Sequence, residues 1–224
     1  IKAIFITHIH DDHIGSLFSV LNYNIEISIP IYCSYETKKY IESYYPENNL
    51  NIINVSEGKH IFNIIDNLEI IPFYTIHSCF GSMGFYFKFD NYSSIFTGDI
   101  KDISNSGKSI IKSLINEDRK NNRKIHLFIE TTNSISPIDK KETSEKDVSD
   151  HLENLINKFI NKNKHVIISC FGTEHHRLYN LLNYIINHKL NYTIIGPAIK
   201  KNLEAIKFMS SDKIIDPSIN ENIL

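Results

Sequence analysis

Short apolar runs separated by turns fill the first half of the chain. "AIFIT" (3–7), "IPIYC" (29–33), "LNIINV" (50–55), "LEIIPFYTI" (68–76), "GFYFKF" (84–89) and "SSIFTG" (93–98) have the length and β-branched content of strands. Between the first two, "IGSLFSVLNY" predicts a helix, and "SYETKKYIESYY" predicts another with Ser34 as its N-cap. The four later runs follow one another with only turns between them, which predicts a largely antiparallel sheet. Beyond residue 120 the pattern changes. "KIHLFIE" (124–130) reads as a strand, and 144–160 carries Val148, Leu152, Leu155, Ile156 and Phe159 at helical spacing. Strand (165–170), helix (174–188), strand (192–196) and helix (200–208) then alternate, as in a parallel sheet covered by helices. One architecture is therefore expected to give way to another near residues 140–150.

Composition narrows the class. The 224 residues are 42% hydrophobic and 22% charged, ordinary values for a globular chain long enough to bury a real core. A net charge of −2 means that any nucleic acid would be held by a local basic surface or by metal, not by overall charge. The 3 cysteines are far apart and form no CxxC, so reduced thiols and a cytoplasmic location are expected. No apolar stretch reaches membrane-span length, and no signal-peptide pattern opens the chain. The chain lacks an initiator Met and starts inside an apparent strand, so a piece of a longer polypeptide is expected. Its frequent Asn, Ile, Lys and Tyr read as a global compositional bias.

Candidate chemistry concentrates at strand ends. "THIHDDH" (7–13) follows the first apolar run. His8 and His10 are two apart in an extended segment and point to one side, while Asp12 and His13 fall where the chain turns into a helix. Such a set can bind two divalent ions, and zinc suits mixed nitrogen and oxygen donors. At this chain's own histidine and aspartate frequencies the pattern HxHxDH arises by chance in about one such chain in a thousand. A surface loop that is merely His-rich would need no further ligands. A dinuclear centre needs them at other strand ends, and His77 follows "YTI" while Asp99 follows "IFTG".

In this order, over residues 3–133, these motifs resemble those of the metallo-β-lactamase superfamily. The resemblance implies an αββα sandwich, a mixed α/β (α+β) fold, over about 1–143. It implies one zinc held by His8, His10 and His77, a second held by Asp12 and His13, and Asp99 as the bridge, with Mn2+ or Mg2+ as alternatives. "FIETTNS" (128–134) looks like the (D/E)STN segment of RNase J-type nucleases. "VIISCFGTEHHRLYNLL" (166–182) resembles their Phe-Ala-(Ser/Thr)-Asn-x-His-Arg turn, with Phe171, Thr173, His176 and Arg177 matching. By that likeness 144–224 begins an inserted parallel α/β β-CASP domain. The chain departs from the pattern at "GPA" (196–198), where Gly-Arg-Ser is usual, and at "SCFGS" after His77.

What the likeness implies is a metal-dependent ribonuclease, 5′-to-3′ exonuclease or endonuclease, acting on single-stranded RNA through hydroxide activated between two zinc ions. Asp12 and Asp99 would orient that hydroxide. Glu130 would fix the orientation of a histidine, and Thr132, Asn133, His176 and Arg177 would contact RNA. Later histidines of the β-CASP pattern lie past Leu224, so this segment alone is expected to be inactive; a homodimer or tetramer of the full-length protein is left open. Rival expectations are a hydrolase of small esters, thioesters or other phosphodiesters, and a scaffold paralogue without catalysis.

Overall fold

The computed structural model describes residues 1–22, 29–46, 49–132, 145–162, 164–197, 199–200 and 202–203. The chain divides into two compact units, Ile1–Thr132 and Asn133–Leu224.

The first unit opens with β1 (Ile4–Phe5), α1 (Asp11–Asn22), β2 (Ile31–Cys33), α2 (Tyr35–Tyr44) and β3 (Ile52–Asn54). β1, β2 and β3 pair in parallel, in that order. The Ser34 side chain caps α2 as expected, accepting the Thr37 N–H at 3.1 Å. The run 50–55 corrects the sequence reading. It joins this parallel sheet and not the antiparallel one, because α2 supplies the crossover that a parallel partner requires.

A second sheet follows, built from β4 (Glu69–Ile76), β5 (Met83–Lys88), β6 (Tyr92–Phe96), β7 (Asp102–Ile103) and, after α3 (Asn105–Lys120), β8 (Lys124–Phe128). Its order is β7-β4-β5-β6-β8, antiparallel except for the β6–β8 pair. Strand periodicity then stacks the layers. Ile4, Ile6, Ile31 and Cys33 meet Ile14 and Leu17 of α1 and Ile41 of α2, while the alternate residues Phe5 and Tyr32 turn to Ile70, Met83 and Phe85 of the second sheet. The opposite face of that sheet, with Ile71, Phe73, Tyr86 and Ile95, packs on Ile110, Ile111 and Leu114 of α3. Three apolar seams therefore separate four layers, helix, sheet, sheet and helix. This is the mixed α/β sandwich expected from the sequence.

In the second unit α4 (Glu145–Ile160) and α5 (His175–Asn187) form close to where periodicity places them. The Tyr184 hydroxyl donates to Asn157 Oδ1 at 2.6 Å and Asn180 Nδ2 to Ser149 Oγ at 3.1 Å, beside buried Ile156, Leu178 and Leu182. The strands expected at 165–170 and 192–196 are irregular, without ladder pairing. A parallel strand needs cover on both faces, and Ile167 (95% exposed) and Ile195 (84%) lack it. Of the expected helix 200–208, residues 200, 202 and 203 are helical and the others lie outside the described residues. All three cysteines are free thiols. Among the described residues no helix is long and apolar enough to cross a membrane.

Candidate metal centre

The strand order brings three chain ends to one edge of the sandwich. β1 runs out into Thr7 and His8, and α1 begins at Asp11, so Asp12 and His13 occupy its first turn. His77 directly follows β4, and Asp99 follows β6 through Gly98, whose φ of 60° belongs to the left-handed region that glycine enters without strain. β4 and β6 are both antiparallel to β5, so they run in the same direction and end together.

Two groups of ligating atoms result, His8, His10, His77 and Asp99 in one and Asp12, His13 and Asp99 in the other, with atoms within 4.8 Å of one another in each. In the first, His10 Nδ1 is 3.1 Å from His8 Nε2 and 3.0 Å from His77 Nε2. In the second, His13 Nε2 is 3.5 Å from Asp12 Oδ2 and 3.2 Å from Asp99 Oδ1. Asp99 turns its other oxygen to the first group, with Oδ2 at 4.0 Å from His77 Nε2. One carboxylate thus faces both groups.

Burial keeps the His8 and His77 rings neutral. Burial, followed by the neighbouring His13, His10 and His77, lowers the pKa of His8 from 6.5 to about 2. Burial and His10 lower that of His77 to about 4, against the opposing pull of Asp99. Neutral imidazoles offer lone pairs, and three ring nitrogens at such separations repel unless a proton or cation lies between them. Tetrahedral zinc, with bonds of about 2.0–2.1 Å, spaces its ligand atoms about 3.3 Å apart. The donor set therefore fits a divalent ion in each group, and the imidazole-rich first group suits zinc better than magnesium.

Two hydroxyls that sequence reasoning missed complete the surroundings. Thr7 Oγ1 lies 3.0 Å from His8 Nδ1 and 3.4 Å from His13 Nδ1, and Ser78 Oγ lies 3.2 Å from His10 Nε2. Each is adjacent in sequence to a candidate ligand, the one signal that could have found it. The carboxylate of Glu130 accepts the Thr132 N–H at 2.7 Å and a hydrogen bond from the Ile100 backbone. The Thr132 contact leads in holding its pKa below the usual carboxylate range. His77 Nδ1 is buried without a hydrogen-bond partner. Asn133 lies outside the described residues. His176 and Arg177 open α5 in the second unit, where Arg177 Nη1 pairs with Glu174 Oε2 at 3.1 Å.

No family model matches the sequence. Ribonuclease J2 of Bacillus subtilis (strain 168) is 33% identical over 104 residues, which make up 45% of this chain and 18% of that protein. The chain thus spans less than a fifth of the length of that relative. Among solved structures, a protein of unknown function from Enterococcus faecalis V583 superposes with a TM-score of 0.59 at 17% identity, covering 90% of this chain and 48% of that one. A diphosphatase of the PhnP family aligns more loosely, with a TM-score of 0.41 at 18% identity over 62% of this chain and 66% of that one. The superposition on the Enterococcus faecalis protein shows a shared fold, and the similarity to Ribonuclease J2 extends over part of the chain.

Proposed function

We propose that this chain carries the catalytic centre of a metal-dependent ribonuclease of RNase J type, with two zinc ions bound at the sandwich edge. The observation that carries this reading is the single Asp99 carboxylate shared by two convergent groups of ligating atoms. The similarity to Ribonuclease J2 supports RNA as the substrate.

His8, His10, His77 and Asp99 would hold one ion, and Asp12, His13 and Asp99 the other. When bound, such ions supply Lewis acidity that brings the pKa of water towards neutrality and offsets phosphate charge. The protein does the rest. His8 and His77 stay unprotonated well below neutral pH, so their lone pairs are not lost to protons. Asp12, exposed at the start of α1, and Asp99 accept hydrogen bonds from the attacking water and fix its direction. Glu130 ties the backbone after Asp99 to the Glu130–Thr132 turn, and this holds the bridging carboxylate in place. Residues 144–224 are read as the start of a β-CASP domain, whose His176 and Arg177 would contact RNA, as would Thr132 and Asn133 of the segment before it.

The test gives the full-length protein 3′-labelled and internally labelled single-stranded RNA, bearing 5′-monophosphate or 5′-triphosphate, with Zn2+ or Mn2+. Metal-dependent release of mononucleotides, faster from the monophosphate and abolished by Asp99→Ala, is the expected result. A metal-loaded protein that cleaves no RNA would sink the ribonuclease reading and turn attention to ester, thioester and small phosphodiester substrates. A full-length protein that takes up no metal would point to a scaffold.

A further inference from the structure

Metal centres hold their histidines by both nitrogens. The ring nitrogen opposite the metal donates its N–H to an outer partner, which fixes tautomer and orientation. Here Nε2 of His8 and Nε2 of His13 are the atoms that face their respective groups. In a neutral ring that presents Nε2 as a lone pair, Nδ1 carries the proton. Both Nδ1 atoms lie against one oxygen, Thr7 Oγ1, at 3.0 and 3.4 Å. A hydroxyl oxygen has two acceptor lone pairs, so it can take both hydrogen bonds at once.

Thr7 is itself held on two further sides. Its carbonyl accepts the Met83 N–H at 2.9 Å, which ties the end of β1 to β5 of the other sheet. A Cβ placed on Gly98 would fall 2.7 Å from Thr7 Cβ and 2.9 Å from Oγ1, so the turn that delivers Asp99 is packed directly on this side chain.

We propose that Thr7 is a positioning residue shared by both halves of the centre, its hydroxyl accepting Nδ1–H from His8 and from His13 and presenting Nε2 of each ring to its own ion. The inference rests on the dinuclear reading above. It predicts that loss of one hydroxyl weakens two metal sites, where an ordinary outer partner would affect one.

The experiment compares the wild-type protein with Thr7→Val, which keeps the shape and loses the oxygen, and with Thr7→Ser, which keeps the oxygen. Zn2+ is titrated against a chromophoric chelator, the visible spectrum of the Co2+ form is recorded, and ring tautomers are read by long-range 1H–15N NMR. Thr7→Val should bind both equivalents about 10- to 100-fold more weakly, with altered Co2+ bands, while Thr7→Ser stays close to wild type. In the wild type His8 and His13 should both be Nδ1–H tautomers, a result that needs no variant to fold. Wild-type affinity in Thr7→Val, loss confined to one equivalent, Nε2–H tautomers at His8 or His13, or a Thr7→Ser as weak as Thr7→Val would each overturn the proposal and leave the metal centre standing. A wild-type protein that binds no divalent ion would overturn the dinuclear reading, and this inference with it.

Discussion

Burial holds the imidazole of His8 at a pKa of about 2 and that of His77 at about 4, where an unfolded chain would titrate near 6.5. Below 6.5 the unfolded state therefore binds protons that the native state refuses, and metal-free stability falls as pH drops from 6.5 towards 4 for both rings and on towards 2 for His8. The slope approaches about 1.4 kcal/mol per pH unit for each histidine. Urea unfolding of the metal-free protein between pH 7.5 and 5 should show it, and His77→Asn should remove the share that belongs to His77. Ser78→Ala takes away a partner of His10 Nε2 and should lower affinity for the first ion about tenfold, measured by chelator competition. At this scale the two groups of candidate ligands could be picked out because four of the six fall within residues 8–13 and the other two follow apolar strands. Thr7 could not, because only the turn into α1 brings His13 back over a hydroxyl six residues earlier. Glu130, expected from its motif to orient a histidine, accepts hydrogen bonds from Thr132 and from the Ile100 backbone and interacts electrostatically with His77.

Among the elements, α3 escaped the sequence reading altogether. Its apolar positions Ile110, Ile111, Leu114 and Ile115 sit at helical spacing, and Arg119 and Lys120 close it, but they are outnumbered by the polar residues around them. Its start was marked by Ser104, whose Oγ accepts the Gly107 N–H at 2.9 Å. Ser104→Ala should cost about 1 kcal/mol in chemical denaturation. β4 is apolar on both faces because it lies between two seams, so alternation could not reveal which side met which layer. Its Phe73 ring covers Gly84 on β5, where an added Cβ would come within 2.3 Å of the ring and 2.7 Å of the Phe96 carbonyl oxygen. Gly84→Ala should therefore destabilise by about 1–3 kcal/mol through overpacking, read from the urea midpoint. The irregular 165–170 and 192–196 segments mark the opposite failure. Local β-propensity was present there, and among the described residues no neighbours bury Ile167 and Ile195.

Across the first unit, the two sheets are joined by apolar packing on their inner faces and meet at the candidate metal ligands on their common edge. His8 and His10 come from the end of the parallel sheet, Asp12 and His13 from the helix on its outer side, and His77 and Asp99 from the antiparallel sheet. Neither of the two proposed ions would therefore be held by one sheet alone. Stripping metal with a chelator should lower the melting temperature. Restoring Zn2+ at 100 times its dissociation constant should return about 2.7 kcal/mol for each site, as seen by calorimetry. Asp99, read above as a bridge, is also a clock. Between His8 and Asp99 lie most of the sandwich's strands, so a refolding chain has no place for either ion until both sheets have formed and docked. In refolding with Co2+ present, colour should lag behind the recovery of tyrosine fluorescence, and ion uptake would time the last closure of the fold.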